Sequence, residues 1–327
     1  MGRWRKKVMA EIVIGVGTSH SPQLSIRAKD WTKLLGDKDK TDPRLNYQAL
    51  LQKAKPGLEK ELTEDKFRER DQACLAGIKV LGDALAAAKP DIVVVFGDDQ
   101  QEQFHDDNMP MFAIYHGKGL PVVRHNNLRP AAWKEAEEKG WAETAPEYET
   151  AADLADHLIC ALTDAEFDIT RCNKLRAEIG VGHAFSFLYR RVLPGSRVPM
   201  VPMMVNTYYP PNQPTPKRCY NFGQAVRKAI ESWDTNKRVA LMASGGLSHV
   251  VIDEEIDAMV IDGLKNKKPE VLFQLPRQKL KGGTSEILNW VALAGAMEQR
   301  ELKYLEYVTT YRSPAATGCG MGFAYWI

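Results

Sequence analysis

Apolar positions in this chain gather into short runs, and several of them close on glycine followed by a polar side chain. Glu11-Ile-Val-Ile-Gly-Val-Gly-Thr-Ser-His20 reads as a strand that breaks at glycines and presents a histidine. Asp91-Ile-Val-Val-Val-Phe-Gly-Asp98-Asp99-Gln100 is a second, ending in two carboxylates and an amide. Val239-Ala-Leu-Met-Ala-Ser-Gly-Gly246-Leu-Ser-His249 is a third. Shorter strands are predicted over 111–115, 167–170, 198–205 and 318–326; Pro199 and Pro202 suit the third of these to a sheet edge. Cys74, Ile78, Leu81 and Leu85 share one face of a helix that ends near Ala88, where Lys89-Pro90 stops it. Further helices are predicted over 151–163, 219–233 and 286–297, with Thr284 or Ser285 as the cap that leaves Glu286 in the first turn. The helical crossover between the first two strands predicts that they are a parallel pair. Residues 206–217 hold four prolines and form a long loop, a kind of segment that is more often functional than inert.

The pattern therefore predicts an α/β fold: a single domain over residues 1–327, with a central mixed sheet flanked by helices and a helical insertion at about 27–90. In open α/β sheets ligands bind beyond the carboxyl ends of strands. A chain that repeatedly places His or Asp there builds one site from distant segments, which points to an enzyme.

Composition narrows the class. With 44 basic and 42 acidic residues the formal charge is +2, which gives no electrostatic reason to expect nucleic acid or an anionic membrane as partner. No apolar stretch reaches the length of a membrane span. The basic cluster Arg3-Trp-Arg-Lys-Lys7 reads as a solvated tail or vector-derived residues. Five scattered cysteines without a CxxC argue for a reducing cytoplasm and against a disulfide frame or zinc knuckle.

Of seven histidines, His20, His183 and His249 stand out, because each lies in a glycine-rich turn that allows close backbone approach. His105, His116, His125 and His157 sit in polar or helical settings and read as ordinary. Glu286 opens an apolar helix; if buried, its carboxylate needs a cation or donor partner.

These residues fall into an ordered set: Ser19-His20-Ser-Pro-Gln-Leu24, Phe96-Gly-Asp-Asp-Gln100 with Asp107-Asn-Met-Pro110, Gly182-His183, Asn206-Thr-Tyr-Tyr-Pro-Pro with Lys217-Arg-Cys-Tyr220, Gly245-Gly-Leu-Ser-His249, and Glu286-Ile-Leu-Asn-Trp290. The set resembles the class III extradiol ring-cleavage dioxygenases, the superfamily of the protocatechuate 4,5-dioxygenase β subunit, from residue 11 to about 323. Within it, the chain is similar to the branch acting on gallate and methylgallate-type lignin aromatics.

The resemblance implies non-haem Fe(II) as cofactor, bound through two histidines and a glutamate, with a small aromatic acid and dioxygen as reactants. His20 matches the first histidine ligand and Glu286 the carboxylate. His249 matches the acid/base histidine, and His183 the second histidine that contacts substrate or oxygen. Homo-oligomerisation follows from the same resemblance, while the cytoplasmic location rests on the cysteines. Where the family has Asp-His for its second histidine ligand, this chain has Asp99-Gln100. Three arrangements are open: Gln100 ligates, directly or through water; Asp98, Asp99 or His105 substitutes; or the chain binds no iron and acts as a metal-free accessory or binding subunit. The insertion at 27–90 stands where the protocatechuate enzyme uses a separate helical subunit to cover its site, so it is expected to act as a lid. For the substrate carboxylate the candidates are Arg312, Ser313 and the neighbouring Tyr311, with Tyr208 or Lys217 in the proline loop.

Overall fold

The apolar runs form strands, and the glycines that close them mark where the chain leaves the sheet. The computed structural model describes residues 8–123 and 147–327; the Arg3–Lys7 cluster and His125 lie outside them. The strands are β1 (Glu11–Thr18), β2 (Ile92–Gly97), β3 (Phe112–Tyr115), β4 (Gly119–Pro121), β5 (Glu147–Glu149), β6 (Thr170–Cys172), β7 (Met200–Val205), β8 (Arg238–Ser244), β9 (His249–Val251), β10 (Leu302–Tyr311) and β11 (Thr317–Trp326). Nine of them make one mixed sheet in the order β10-β11-β1-β8-β2-β7-β3-β6, with β9 paired to β11; β4 and β5 pair separately. β1, β8, β2 and β7 run parallel, and β11 returns antiparallel along β1.

Both faces of the sheet are covered, as the near-continuous apolar strands require. The principal helices among the described residues are α1 (Tyr47–Lys53), α2 (Glu64–Ala88), α3 (Ala152–Asp164), α4 (His183–Phe187), α5 (Pro216–Glu231), α6 (Glu254–Lys265) and α7 (Ile287–Ala296). Val94, Phe96, Leu241 and Ala243 point to a core shared with α3, α5 and α7, while Val93, Val95, Ala240 and Met242 point to the one shared with α2. This is the period of two expected of a strand. The predicted face of α2, Cys74 to Leu85, is the buried one. Thr63 caps its start, and Lys89, in the left-handed region at φ 47° just before Pro90, ends it.

Three expectations shift. β1 and β2 are parallel, but β8 fills the slot between them. β7 is interior rather than an edge strand, and Pro202 is tolerated there for a local reason. The Asn206 N–H donates toward β3, so by alternation the Pro202 nitrogen faces β3 as well, where the β3–β7 ladder has already stopped at Met203. The strand expected at 167–170 begins at Thr170, with Phe167 packed instead against Phe112 and Phe222. β10 and α6 are hidden from an apolar pattern by their charges. β10 is a half-solvated edge strand carrying Lys303 and Glu306, and α6 opens with Glu254, Glu255 and Asp257. All five cysteines are free. Among the described residues no helix is long and apolar enough to cross a membrane.

Candidate metal centre and active site

Three parallel strands end at one level. Thr18 pairs with Ser244 across β1 and β8, and Phe96 with Ala243 across β2 and β8. His20, Asp98 and Gly245-Gly246 therefore leave the sheet side by side. His183 arrives at the first position of α4, His249 at the start of β9, and Glu286 where a short 3₁₀ turn meets α7.

Thr284 and Ser285 do not cap α7 as the sequence suggests. Thr284 Oγ1 accepts the His249 N–H at 3.0 Å and donates to the His249 carbonyl at 2.8 Å, while Ser285 donates to the Gly282 carbonyl at 2.6 Å. Glu286 turns its carboxylate inward, 1% exposed. Oε2 accepts the Gly246 N–H at 2.7 Å and lies 3.4 Å from His20 Nε2. Oε1 accepts the Tyr208 hydroxyl at 2.7 Å and lies 3.2 Å from His249 Nε2. Trp290 holds the glycine turn from beneath, its Nε1 donating to the Gly245 carbonyl at 2.8 Å.

Each of the three histidines commits its Nδ1 proton to a partner other than Asp98 and Glu286. Ser244 donates its hydroxyl proton to the Ala184 carbonyl at 2.6 Å, so toward His20 it can only accept, and His20 Nδ1 at 3.0 Å carries a proton. His249 Nδ1 donates to the Leu247 carbonyl at 2.8 Å, and His183 Nδ1 to Glu102 Oε2 at 2.9 Å. Nε2 is thus the nitrogen left to the site, and in His20 and His249 it faces Glu286, an arrangement typical of ligating and catalytic imidazoles. The His20 and His183 rings meet edge to face, their centroids 4.7 Å apart.

The buried carboxylates call for positive charge. Burial and the neighbouring Glu286 push the Asp98 carboxyl up to about 6. Glu286, although burial opposes its charge, is held well below the usual carboxylate range by His249 and His20. Burial disfavours the charged form of His249 too, but Glu286 raises it well above an ordinary imidazole. The ligand atoms of His20, Asp98 and His183 all lie within 4.8 Å of one another. Two buried carboxylates facing imidazoles form a donor set that fits a divalent cation, which would take the place of the protons that His183 and His249 hold beside those carboxylates.

The remaining candidates are dispersed. Gln100 enters the site with its amide nitrogen, 3.2 Å from Asp98 Oδ2, 3.2 Å from Glu286 Oε1 and 2.9 Å from the Tyr208 hydroxyl. Asp99 turns away to accept the N–H groups of Gln103 and Phe104 at 2.8 and 3.0 Å. His105 is outside the close group of ligand atoms. Arg312 is buried on Asp39, its Nε and Nη2 bonding the carboxylate at 2.7 and 2.9 Å, and Ser313 accepts from the Thr317 hydroxyl at 2.7 Å. Tyr311 donates to Glu254, and Lys217 lies over the Phe273 ring. His116 pairs with Asp156, and His157 donates to the Ala229 carbonyl.

Glu102 is the residue that sequence reading misses. It accepts both the backbone N–H and Nδ1 of His183, while Gln103 beside it donates to the Gly180 carbonyl and accepts the Arg176 N–H. The polar run Gln100-Gln-Glu-Gln103 thus pins the loop that presents His183. A Cβ at Gly182 would lie 2.7 Å from Glu102 Oε2, so glycine is what permits the approach.

Two predictions arise here. Burial would push the Glu102 carboxyl up, but the charge and hydrogen bond of His183 hold it at about 2, below its ordinary 4.5. Burial would likewise lower His183, but Glu102 raises it to about 9 from 6.5. A depressed carboxyl contributes stability that is complete above 4.5 and lost as pH falls toward 2; a raised imidazole contributes stability complete below 6.5 and lost as pH rises through 9. Glu102→Gln is therefore expected to lower the melting temperature of the metal-free protein most between pH 4.5 and 6.5. A deficit that stays constant as pH rises through 9 would refute the pairing. Secondly, a Cβ at Gly283 would lie 2.1 Å from His249 Cδ2. Gly283→Ala is expected to displace that ring and lower turnover by roughly 10–100-fold with the fold intact; unchanged turnover would show that the ring's position does not matter.

Residues 60–322 match the family described as the catalytic LigB subunit of aromatic ring-opening dioxygenase. His20 lies upstream of that span. The chain is 31% identical over 198 residues to a gallate dioxygenase of Pseudomonas putida KT2440, covering 56% of this chain and 55% of that protein. It is 29% identical over 197 residues to a 2,3-dihydroxyphenylpropionate/2,3-dihydroxicinnamic acid 1,2-dioxygenase of Cupriavidus necator, covering 58% of this chain and 55% of the other. A protein of the same name from Klebsiella pneumoniae is 27% identical over 187 residues, covering 56% and 52%. The alignments thus span about half the length of these relatives.

Proposed function

The chain belongs to the family of the catalytic LigB subunit of aromatic ring-opening dioxygenases, and we propose that it opens the ring of a carboxylated, lignin-derived aromatic bearing a vicinal diol, with dioxygen as oxidant and Fe(II) as metal. The observation that carries this reading is the convergence on Glu286 of His20 Nε2 at 3.4 Å and His249 Nε2 at 3.2 Å, from segments more than 200 residues apart in the chain.

His20 and Glu286 would hold the metal, which when bound supplies the electron transfer between diol and dioxygen. The other steps belong to the chain. A diol that binds through both oxygens must lose protons, and ring opening needs one returned. His249 suits that task, because its Nδ1–H is anchored on the Leu247 carbonyl and Nε2 is left to accept and donate. His183, braced by Glu102, supports substrate or oxygen through its own Nε2. Tyr208 orients Glu286 through its hydroxyl. In the reaction one carbon–carbon bond beside the diol breaks and both oxygen atoms enter the product.

The test is anaerobic reconstitution with Fe(II), followed by oxygen uptake on protocatechuate, gallate, 3-O-methylgallate and 2,3-dihydroxyphenylpropionate. One dioxygen consumed per substrate, with stoichiometric bound iron, is the expected result. Absence of both iron and uptake would favour a metal-free accessory or binding subunit, the reading to which Gln100 lends its support.

A further inference from the structure

We propose that Asp98, and not Gln100, supplies the third protein donor to the metal, completing a set of one imidazole and two carboxylates with His20 and Glu286. The inference rests on the metal-dependent reading above and deepens it by assigning the position that the absent histidine leaves open.

Asp98 is the first residue beyond β2 and is fully buried. Its ligand atom lies within 4.8 Å of those of His20 and His183. From behind, Asn289 Nδ2 approaches Asp98 Oδ1 at 3.4 Å while donating to the Ser244 carbonyl at 3.1 Å. Asp98 is thus a buried carboxylate held in place beside His20.

Gln100 is poorly disposed for the same role. Its amide nitrogen, which has no lone pair to give, is the atom that faces the site, donating toward Asp98 Oδ2 and Glu286 Oε1. Turning the amide over would set its carbonyl oxygen against those two carboxylate oxygens and sacrifice both hydrogen bonds. The amide therefore acts as a clamp that holds two carboxylates at one cavity, a positioning role outside the coordination sphere.

The exchange of imidazole for carboxylate has a chemical consequence. Two carboxylates and a neutral imidazole balance the charge of a divalent ion, and the added oxygen donor shifts preference toward harder ions such as Mn(II).

The experiment titrates metal-free protein anaerobically with Mn(II) and with Fe(II), by calorimetry and by the metal-induced rise in melting temperature. It compares wild type, Asp98→Asn, Gln100→Ala and His20→Ala. Asp98→Asn is expected to weaken binding by at least about 100-fold, and Gln100→Ala by no more than about 10-fold, the scale of losing a partner that orients a ligand. Melting of the metal-free variants shows which are folded. Should Asp98→Asn fail to fold, Gln100→Ala still decides: metal retained supports the assignment, metal lost from a folded protein overturns it. Metal retained in Asp98→Asn also overturns it, and leaves the metal-dependent reading standing as long as His20→Ala loses the ion. Wild type that binds neither ion defeats both.

Discussion

Replacing Glu286 with alanine is expected to abolish metal binding and to lower ring-opening turnover by at least about 10³-fold, roughly 4 kcal/mol of transition-state stabilisation. One carboxylate serves two sets of partners, with His20 and the Gly246 N–H on Oε2 and Tyr208, His249 and Gln100 on Oε1. Its loss removes a proposed metal donor and also the anion that sets the charge of His249. Glu286→Gln keeps the shape and an acceptor for Tyr208 but not the charge, so the two variants should be similarly impaired. Oxygen uptake and bound metal measured on the same samples check this; a folded Glu286→Ala that keeps a tenth of wild-type turnover would remove Glu286 from the centre of the mechanism.

Asp39→Ala is expected to cost about 3–5 kcal/mol of stability, read as a lower urea midpoint. Asp39 and Arg312 are 5% and 8% exposed and joined by two hydrogen bonds, and Gln23 Oε1 at 3.3 Å is the further partner of the Arg312 guanidinium. Removing the carboxylate strands a charge in the interior. The pair ties the insertion at 27–90 to the end of β10, where Gly36 also packs close enough that a Cβ would lie 2.4 Å from the Arg312 carbonyl. Asp39→Ala combined with Arg312→Met should recover part of the loss, because the apolar pair leaves no charge unpaired. If Arg312 instead grips a substrate carboxylate, Asp39→Ala will leave stability unchanged and act on KM alone.

Arg312 shows where sequence reading reaches its limit. Near the C-terminus, beside Tyr311 and Ser313, it reads as a clamp for an aromatic acid, and only the fold reveals that Asp39, 273 positions away, fills its fork. Thr284 is similar: next to a helix start it reads as a cap, and in the fold it grips the His249 backbone. Glu102 is the converse case. Its polar run carries no signal of its own in the sequence, and in the fold the residue braces His183. The pairing partner of a side chain depends on which distant segment comes within 3 Å of it, and no local periodicity carries that information.

What the sequence determined by itself is the frame. Alternating burial in β2 and β8, the face of α2 and the glycines that end β1 and β8 are local properties of backbone and solvation, and they place His20, Asp98 and the Gly245-Gly246 turn at the carboxyl ends of parallel strands. The tertiary structure decided what those ends do together: that β8 lies between β1 and β2, that Glu286 turns inward from α7, and that Gln100 presents its N–H groups to two carboxylates. These outcomes follow from desolvation. Once the segments are packed, each buried charge and each donor must find a partner among the few groups left within reach, and that choice is made in three dimensions.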